Sequence, residues 1–291
     1  MNNVSILLLA ADSGEGPLGD FLDPAVRAAW QQQGLCASAS YMSDLRREQL
    51  DCCHVAVLLR TPIPGHPLDD HAAFVEKSAW LRDFVAAGGG LLLLFTENYG
   101  KTESTLNELV APWGLRFFFN HLVARAGAPV ERFPRFFESV IRPVPFAGNP
   151  VTALRGELGL ICEGGHGTQH LTCAGDRRWQ PLLRGAPHLR SEPYRGSYPN
   201  SSEQPIADPV LAAAAELGRG RVVAFPGSAP FWLVNPFIWR FDGYLHTQRA
   251  GAGARFLMDA VRWLADTERG RALPADAAER AERLADPARL L

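Results

Sequence analysis

The sequence lacks an excess of either charge: 29 basic residues stand against 31 acidic ones, for a formal net charge of -2 and an isoelectric point near 6.5. A duplex-binding surface needs a basic face, so nucleic acid is not expected as a partner. Long hydrophobic runs are missing too. The apolar stretch Val4 to Ala10 has no basic flank and is too short to span a bilayer, so it reads as a buried strand. No membrane partner is expected, and the cytoplasm is the expected location. Cysteine is scarce: Cys36, Cys52, Cys53, Cys162 and Cys173 are odd in number and lack framework spacing, and the adjacent pair Cys52-Cys53 cannot readily clamp a metal. Neither a disulfide scaffold nor a zinc module is indicated, and the thiols read as reduced and partly buried.

What the chain does contain is ordinary for a folded protein. Apolar residues make up 47% and charged residues 21% of its 291 positions, which excludes wholesale disorder and leaves ample length for a core. Apolar runs suited to buried strands recur at Val4 to Ala10, Cys36 to Tyr41, Val55 to Leu59 and Leu91 to Phe95. Helical patterns lie between them at Pro24 to Gln33, Ser43 to Leu50 and His71 to Ala87. This alternation predicts βαβ units and a doubly wound, mostly parallel α/β sheet. Ser104 to Val110 then reads as a short helix and Gly114 to Phe119 as a strand.

The second half is more elaborate. From Arg125 to Gly148 four prolines break any long element, so the stretch reads as an insertion or ordered loop. Strand signals return at Leu158 to Cys162 and His170 to Thr172. Pro187 to Pro209 has the composition of a long surface loop. A Gly218-Arg219-Gly220 turn feeds a buried strand that ends near Gly227-Ser228. An aromatic segment with Trp232, Trp239, Phe241 and Tyr244 follows, and a closing helix spans Ala252 to Ala265. Residues 1–265 therefore read as one domain, and 266–291 as a solvated helical tail.

In an open α/β sheet the loops after the carboxyl ends of the strands face the ligand crevice. Those loops carry Asp12 and Ser13 after the first strand, Arg60 after the third, Thr96, Glu97, Asn98 and Tyr99 after the fourth, and Ser228 and Trp232 after the late strand. These are the expected ligand contacts, for a small polar molecule or a sugar. Glu97 is the sharpest of them, because a carboxylate at a crevice elbow can act as general base or hydrogen-bond a polyol. It can equally cap the next helix or pair with Arg60. The strand-turn-helix elbow itself holds no Cys and no Ser, so it presents no nucleophile.

Other constellations carry less. Cys162 lies among glycines beside His166, but no helix follows to lower its pKa. His166 and His170 are four apart, a helical ligand spacing, within a glycine-rich stretch that is not helical; a third ligand would have to come from His66, His71 or His246. No metal and no cofactor is expected. Asp12-Ser13-Gly14-Glu15-Gly16 lacks the glycine pattern and the lysine of a phosphate cradle. The aromatics of the second half suit either a sugar-stacking platform or a homo-oligomer interface.

Three pieces together carry a resemblance. The elbow followed by Leu106-Asn107-Glu108-Leu109 and Trp113-Gly114-Leu115, the segment Gly148-Asn149-Pro150-Val151-Thr152, and the strand Gly218 to Val223 with Trp263-Leu264 after it are similar to the class I glutamine amidotransferase-like superfamily. Within it they resemble the non-catalytic branch that includes GIFT-type domains and the ThuA-like proteins. The resemblance implies a flavodoxin-like fold. The superfamily's catalytic residues do not carry over: Phe95 to Tyr99 stands where its Gly-x-Cys-x-Gly turn belongs, and Gly227-Ser228-Ala229-Pro230 where its His-Pro-Glu belongs. Glutamine hydrolysis is therefore not expected. The implied function is non-catalytic binding of a small polar ligand or a protein partner. The alternative is a ThuA-like enzyme acting on a sugar derivative, with Glu97 or His166 as acid-base residue.

Overall fold

A computed structural model describes residues 3–12, 24–59, 61–62, 65–94, 102–118, 120–124, 139–141, 144–145, 160–162, 170–172, 178–184, 189–193, 210–225, 259–266 and 271–284. The chain begins with β1 (Val4–Ala10), α1 (Pro24–Gln32), β2 (Leu35–Tyr41), α2 (Arg47–Asp51), β3 (Val55–Leu58), α3 (His71–Ala86), β4 (Gly90–Leu94) and α4 (Thr102–Val110). A short 3-10 turn (Ala111–Trp113) leads into β5 (Arg116–Phe118), β6 (Asn120–Ala124), β7 (Ser139–Ile141), β8 (Val144–Pro145), β9 (Leu160–Cys162) and β10 (His170–Thr172). β11 (Trp179–Arg184), β12 (Leu189–Pro193), β13 (Val210–Leu217) and β14 (Gly220–Phe225) follow. Two helices complete the described chain, α5 at 259–264 and α6 (Ala277–Leu284).

The sheet corrects the expectation of a mostly parallel, flavodoxin-like fold. Ten strands form one mixed sheet with the path β2-β1-β3-β4-β14-β13-β10-β5; β11 attaches at β13, and β8 attaches at β11. Pairing is parallel from β2 to β14. It is antiparallel from β14 onward through β13, β10, β11, β5 and β8. The reason is local: Leu217 pairs with Gly220 across a two-residue turn in which Gly218 has φ 65°, a hairpin that forces β13 to run against β14. No crossover helix intervenes between β13 and β14.

Strands β1, β3 and β4 are apolar at nearly every position because both sheet faces are covered. Ile6, Leu8 and Ala10 face one core with Trp30 of α1 and Ala260, Val261 and Leu264 of α5. Leu7 and Leu9 face the other with Phe74, Leu81 and Phe84 of α3 and Leu106 and Leu109 of α4. Each buried Leu, Ile, Val or Phe among them contributes about 1.5–3 kcal/mol relative to exposure.

Several boundaries have identifiable causes. Asp70 accepts a hydrogen bond from the Ala73 N–H at 2.8 Å and so starts α3. α3 ends at Gly88, φ 107°, with Gly88 and Gly89 N–H groups donating to the carbonyls of Val85 and Phe84. The helix expected over Ser43 to Leu50 starts later, at Arg47, because Ser43 bonds to Asp12 instead and the Gln49 side chain accepts from the Arg46 N–H at 2.8 Å. The stretch expected as a long loop contains β12, which pairs antiparallel with β6. The Arg125 to Gly148 insertion contributes β7 and β8. At the edge strand β5, the Asn107 side chain of α4 completes the open ladder: its amide donates to the Phe117 carbonyl at 3.0 Å and accepts from the Phe117 N–H at 2.8 Å.

The tightest backbone approach is at β14. A Cβ on Gly220 would lie 2.1 Å from the Val85 carbonyl oxygen and 2.3 Å from that of Gly89. Gly220→Ala is therefore expected to destabilise by about 3 kcal/mol or more. Gly34→Ala, where φ is 76° and a Cβ meets nothing within 4 Å, should cost about 1 kcal/mol. Urea unfolding of both variants checks the ordering; equal small losses would refute the close packing of β14 on α3.

Candidate functional site

Five parallel strands end at one edge, as the pairs Ala10 with Tyr41, Leu9 with Leu58, Leu58 with Leu93 and Phe225 with Leu94 show. The chain leaves β1 for β2 on one side and then returns to β3 on the other, so strand order reverses at β1. The helices that follow β1 and β2 pack on opposite faces: Trp30 of α1 belongs to one core, Leu50 of α2 to the other. In an open α/β sheet such a divergence is where a ligand crevice forms, here outside the carboxyl ends of β1 and β3.

A charged network occupies this edge. Asp12, just beyond β1, accepts from the Ser43 N–H at 3.3 Å through Oδ2 and from the Ser43 hydroxyl through Oδ1. The Ser43 carbonyl in turn accepts from the Lys77 ammonium of α3. The turn after β2 is thus held from both sides, by a carboxylate and by a cation. Lys77 is only 6% exposed. Burial pushes its pKa below the ordinary lysine value, and Asp44, Asp12, Glu76 and Asp70 oppose that shift by favouring the charged form. Trp80 lies one turn along α3, its ring centroid 6.0 Å from Lys77 Nζ and 5.2 Å from the Arg47 guanidinium.

Of the expected site residues, Asp12 is the one the structure describes, and it is part of this network. Ser13, Arg60, Thr96, Glu97, Asn98, Tyr99, His166, Ser228 and Trp232 lie outside the described residues. The segments that carry all of them except His166 follow β1, β3, β4 and β14 in the chain, strands that end at this edge. Ser43 and Lys77 were not anticipated as site residues. The signal for Lys77 is compositional: the chain has two lysines, and this one falls on the apolar stripe of α3 between Phe74 and Leu81.

Three of the candidate histidines lie among the described residues. His66 Nδ1 accepts from the Leu68 N–H at 3.3 Å, His71 approaches Glu108 at 3.4 Å, and His170 stands opposite Phe118 in the sheet. Among the described residues no group of three or more His, Cys, Asp and Glu side chains could hold a metal. No described helix is long and apolar enough to cross a membrane.

No protein-family model matches the chain, and no curated protein matches it. Solved structures do. An exo-β-1,4-mannosidase, Op5Man5 from Opitutaceae bacterium strain TAV5, aligns at 11% identity and TM-score 0.40 over 88% of this chain and 36% of that one. A β-galactosidase from Bacillus circulans sp. alkalophilus aligns at 12% identity and TM-score 0.36 over 80% of this chain and 30% of the other. A third, Gan42B, a GH42 β-galactosidase, gives 11% identity and TM-score 0.29 over 82% and 30%. The chain thus spans about a third of the length of these structures. At these TM-scores the likeness carries no argument about fold or substrate.

At the opposite edge, the Ser5 N–H donates to His54 Nδ1 at 3.0 Å, and burial holds the imidazole below its ordinary pKa of 6.5. As pH falls through about 6.5 the unfolded imidazole takes up its proton first. Stability is therefore full above that value and is lost as pH falls toward the lower folded-state value. His54→Asn keeps an acceptor for the Ser5 N–H but does not titrate. Its unfolding free energy should vary less than that of the wild type between about pH 7 and about pH 5; identical pH profiles would remove His54 from the acid limb.

Proposed function

We propose that the chain binds a small, uncharged, hydroxyl-rich molecule, with sugars and polyols the leading class, in the crevice at the carboxyl edge of the parallel strands. The observation that carries this reading is the Asp12–Ser43–Lys77 network at the point where strand order reverses. A carboxylate oxygen has room for more than one donor, so Asp12 held by Ser43 can still accept from a ligand hydroxyl. Lys77 braces the turn, its ammonium donating to the Ser43 carbonyl. Four carboxylates surround that one cation, an electrostatic setting that disfavours phosphate and carboxylate ligands.

Calorimetric titration of the full chain against a panel of neutral sugars and polyols tests the reading. At least one member should bind. Asp12→Asn should weaken that binding about tenfold, equivalent to about 1.4 kcal/mol. Asp83→Asn, at an exposed carboxylate on α3 paired with Arg47, should leave it unchanged. Absence of heat with every member, in protein shown to be folded, overturns the proposal.

A further inference from the structure

The two adjacent cysteines have different covers. Cys53 belongs to the core that contains Leu50, Phe74 and Leu81, and its thiol donates to the Leu50 carbonyl with the sulfur at 3.6 Å. Cys52 follows α2 directly and has no exposed surface. Yet Cys52 belongs to neither core cluster; burial raises its thiol pKa, and of the charges that act on it Arg280, Asp276 and Arg271 belong to the chain around α6.

An ion pair and an aromatic contact hold that chain at Arg271. Arg271 forms an ion pair with Asp51, the last residue of α2. Its guanidinium lies 5.8 Å from the Phe84 ring centroid of α3. α6 packs on α2; its Ala277 is buried, while most other described α6 residues are half-buried or exposed. Segments with so little buried apolar surface open locally at far lower cost than the core. We propose that residues 271–284 form a detachable strap over the amino edge of the sheet, and that its docking is what shields the Cys52 thiol.

Alkylation of the full chain by N-ethylmaleimide, followed by peptide fragmentation to separate the two sites, tests this. In the wild type Cys52 should react more slowly than exposed Cys36 and faster than Cys53, at a rate insensitive to low urea. Arg271→Ala, which removes the ion pair, and Ala277→Glu, which places a charge under the helix, should each raise the Cys52 rate about five- to tenfold with Cys53 unchanged. Unchanged Cys52 rates in both folded variants overturn the proposal. So do equal wild-type rates at Cys52 and Cys53 with the same urea dependence, because global unfolding would then be the route to both. Should a variant fail to fold, the wild-type comparison decides alone.

Discussion

The parallel strands at the centre of the molecule are buried on both faces, and the rest of the arrangement follows from that. β1, β3 and β4 carry apolar side chains at almost every position, because a polar group placed there would lose its water without gaining a partner. Chemistry is thereby confined to the two ends of the strands. The carboxyl ends carry Asp12, Ser43 and Lys77; the amino ends carry Ser5, His54, Asp51 and Arg271. The parallel ladders keep these ends level, so residues distant in sequence arrive at a common edge through backbone geometry alone.

Two partly desolvated cations are handled in different ways. Lys77 is a point charge whose desolvation is offset by one carbonyl and the surrounding carboxylates. Arg221 uses its planar fork: it donates to the Trp263 carbonyl and to Asp266 at 2.7 Å each, pairs with Glu216 at 3.2 Å, and stacks on the Trp263 ring with the centroid at 4.7 Å. Lysine could not make that set of contacts from one side chain. The first cation braces a turn beside the candidate site; the second fastens α5 to the beginning of β14.

The first half of the fold was legible in the sequence because its signals are local. Val4–Ala10 has the observed bounds, and α1, β2, β3, α3 and β4 fall within a residue of expectation, since each is a continuous apolar run or a capped amphipathic pattern. The second half was legible only in part: β5, β9, β10 and β14 fall where strands were expected, whereas β6, β11, β12 and β13 were not expected, because they depend on partners. Val210–Leu217 contains four consecutive alanines, the residue of highest helical propensity. It forms a strand because β14, β11 and β10 occupy its edges and both of its faces are buried. Leu189–Pro193 reads as loop for the same reason: only its pairing with β6 defines it. At the site, the carboxylate was visible because it follows a strand end. Its partners were not, because Ser43 reads as a helix start and Lys77, although on the apolar stripe of its helix, carries no signal of its contact with that turn.

α3 joins these two halves. Its early turns hold Lys77 against the turn after β2. Its last turn takes the β13–β14 hairpin, with the Arg219 guanidinium donating to the Ala87 carbonyl at 2.8 Å and Gly220 pressed against the Val85 carbonyl. A helix of 16 residues is about 24 Å long, enough to reach from one end of the strands to the other. The point where the sheet changes from parallel to antiparallel is therefore keyed to the same rigid rod that positions the charged network. A shift of that hairpin would have to tilt α3 or break its C-terminal cap. The antiparallel half is thus mechanically continuous with the site although it contributes no described residue to the network.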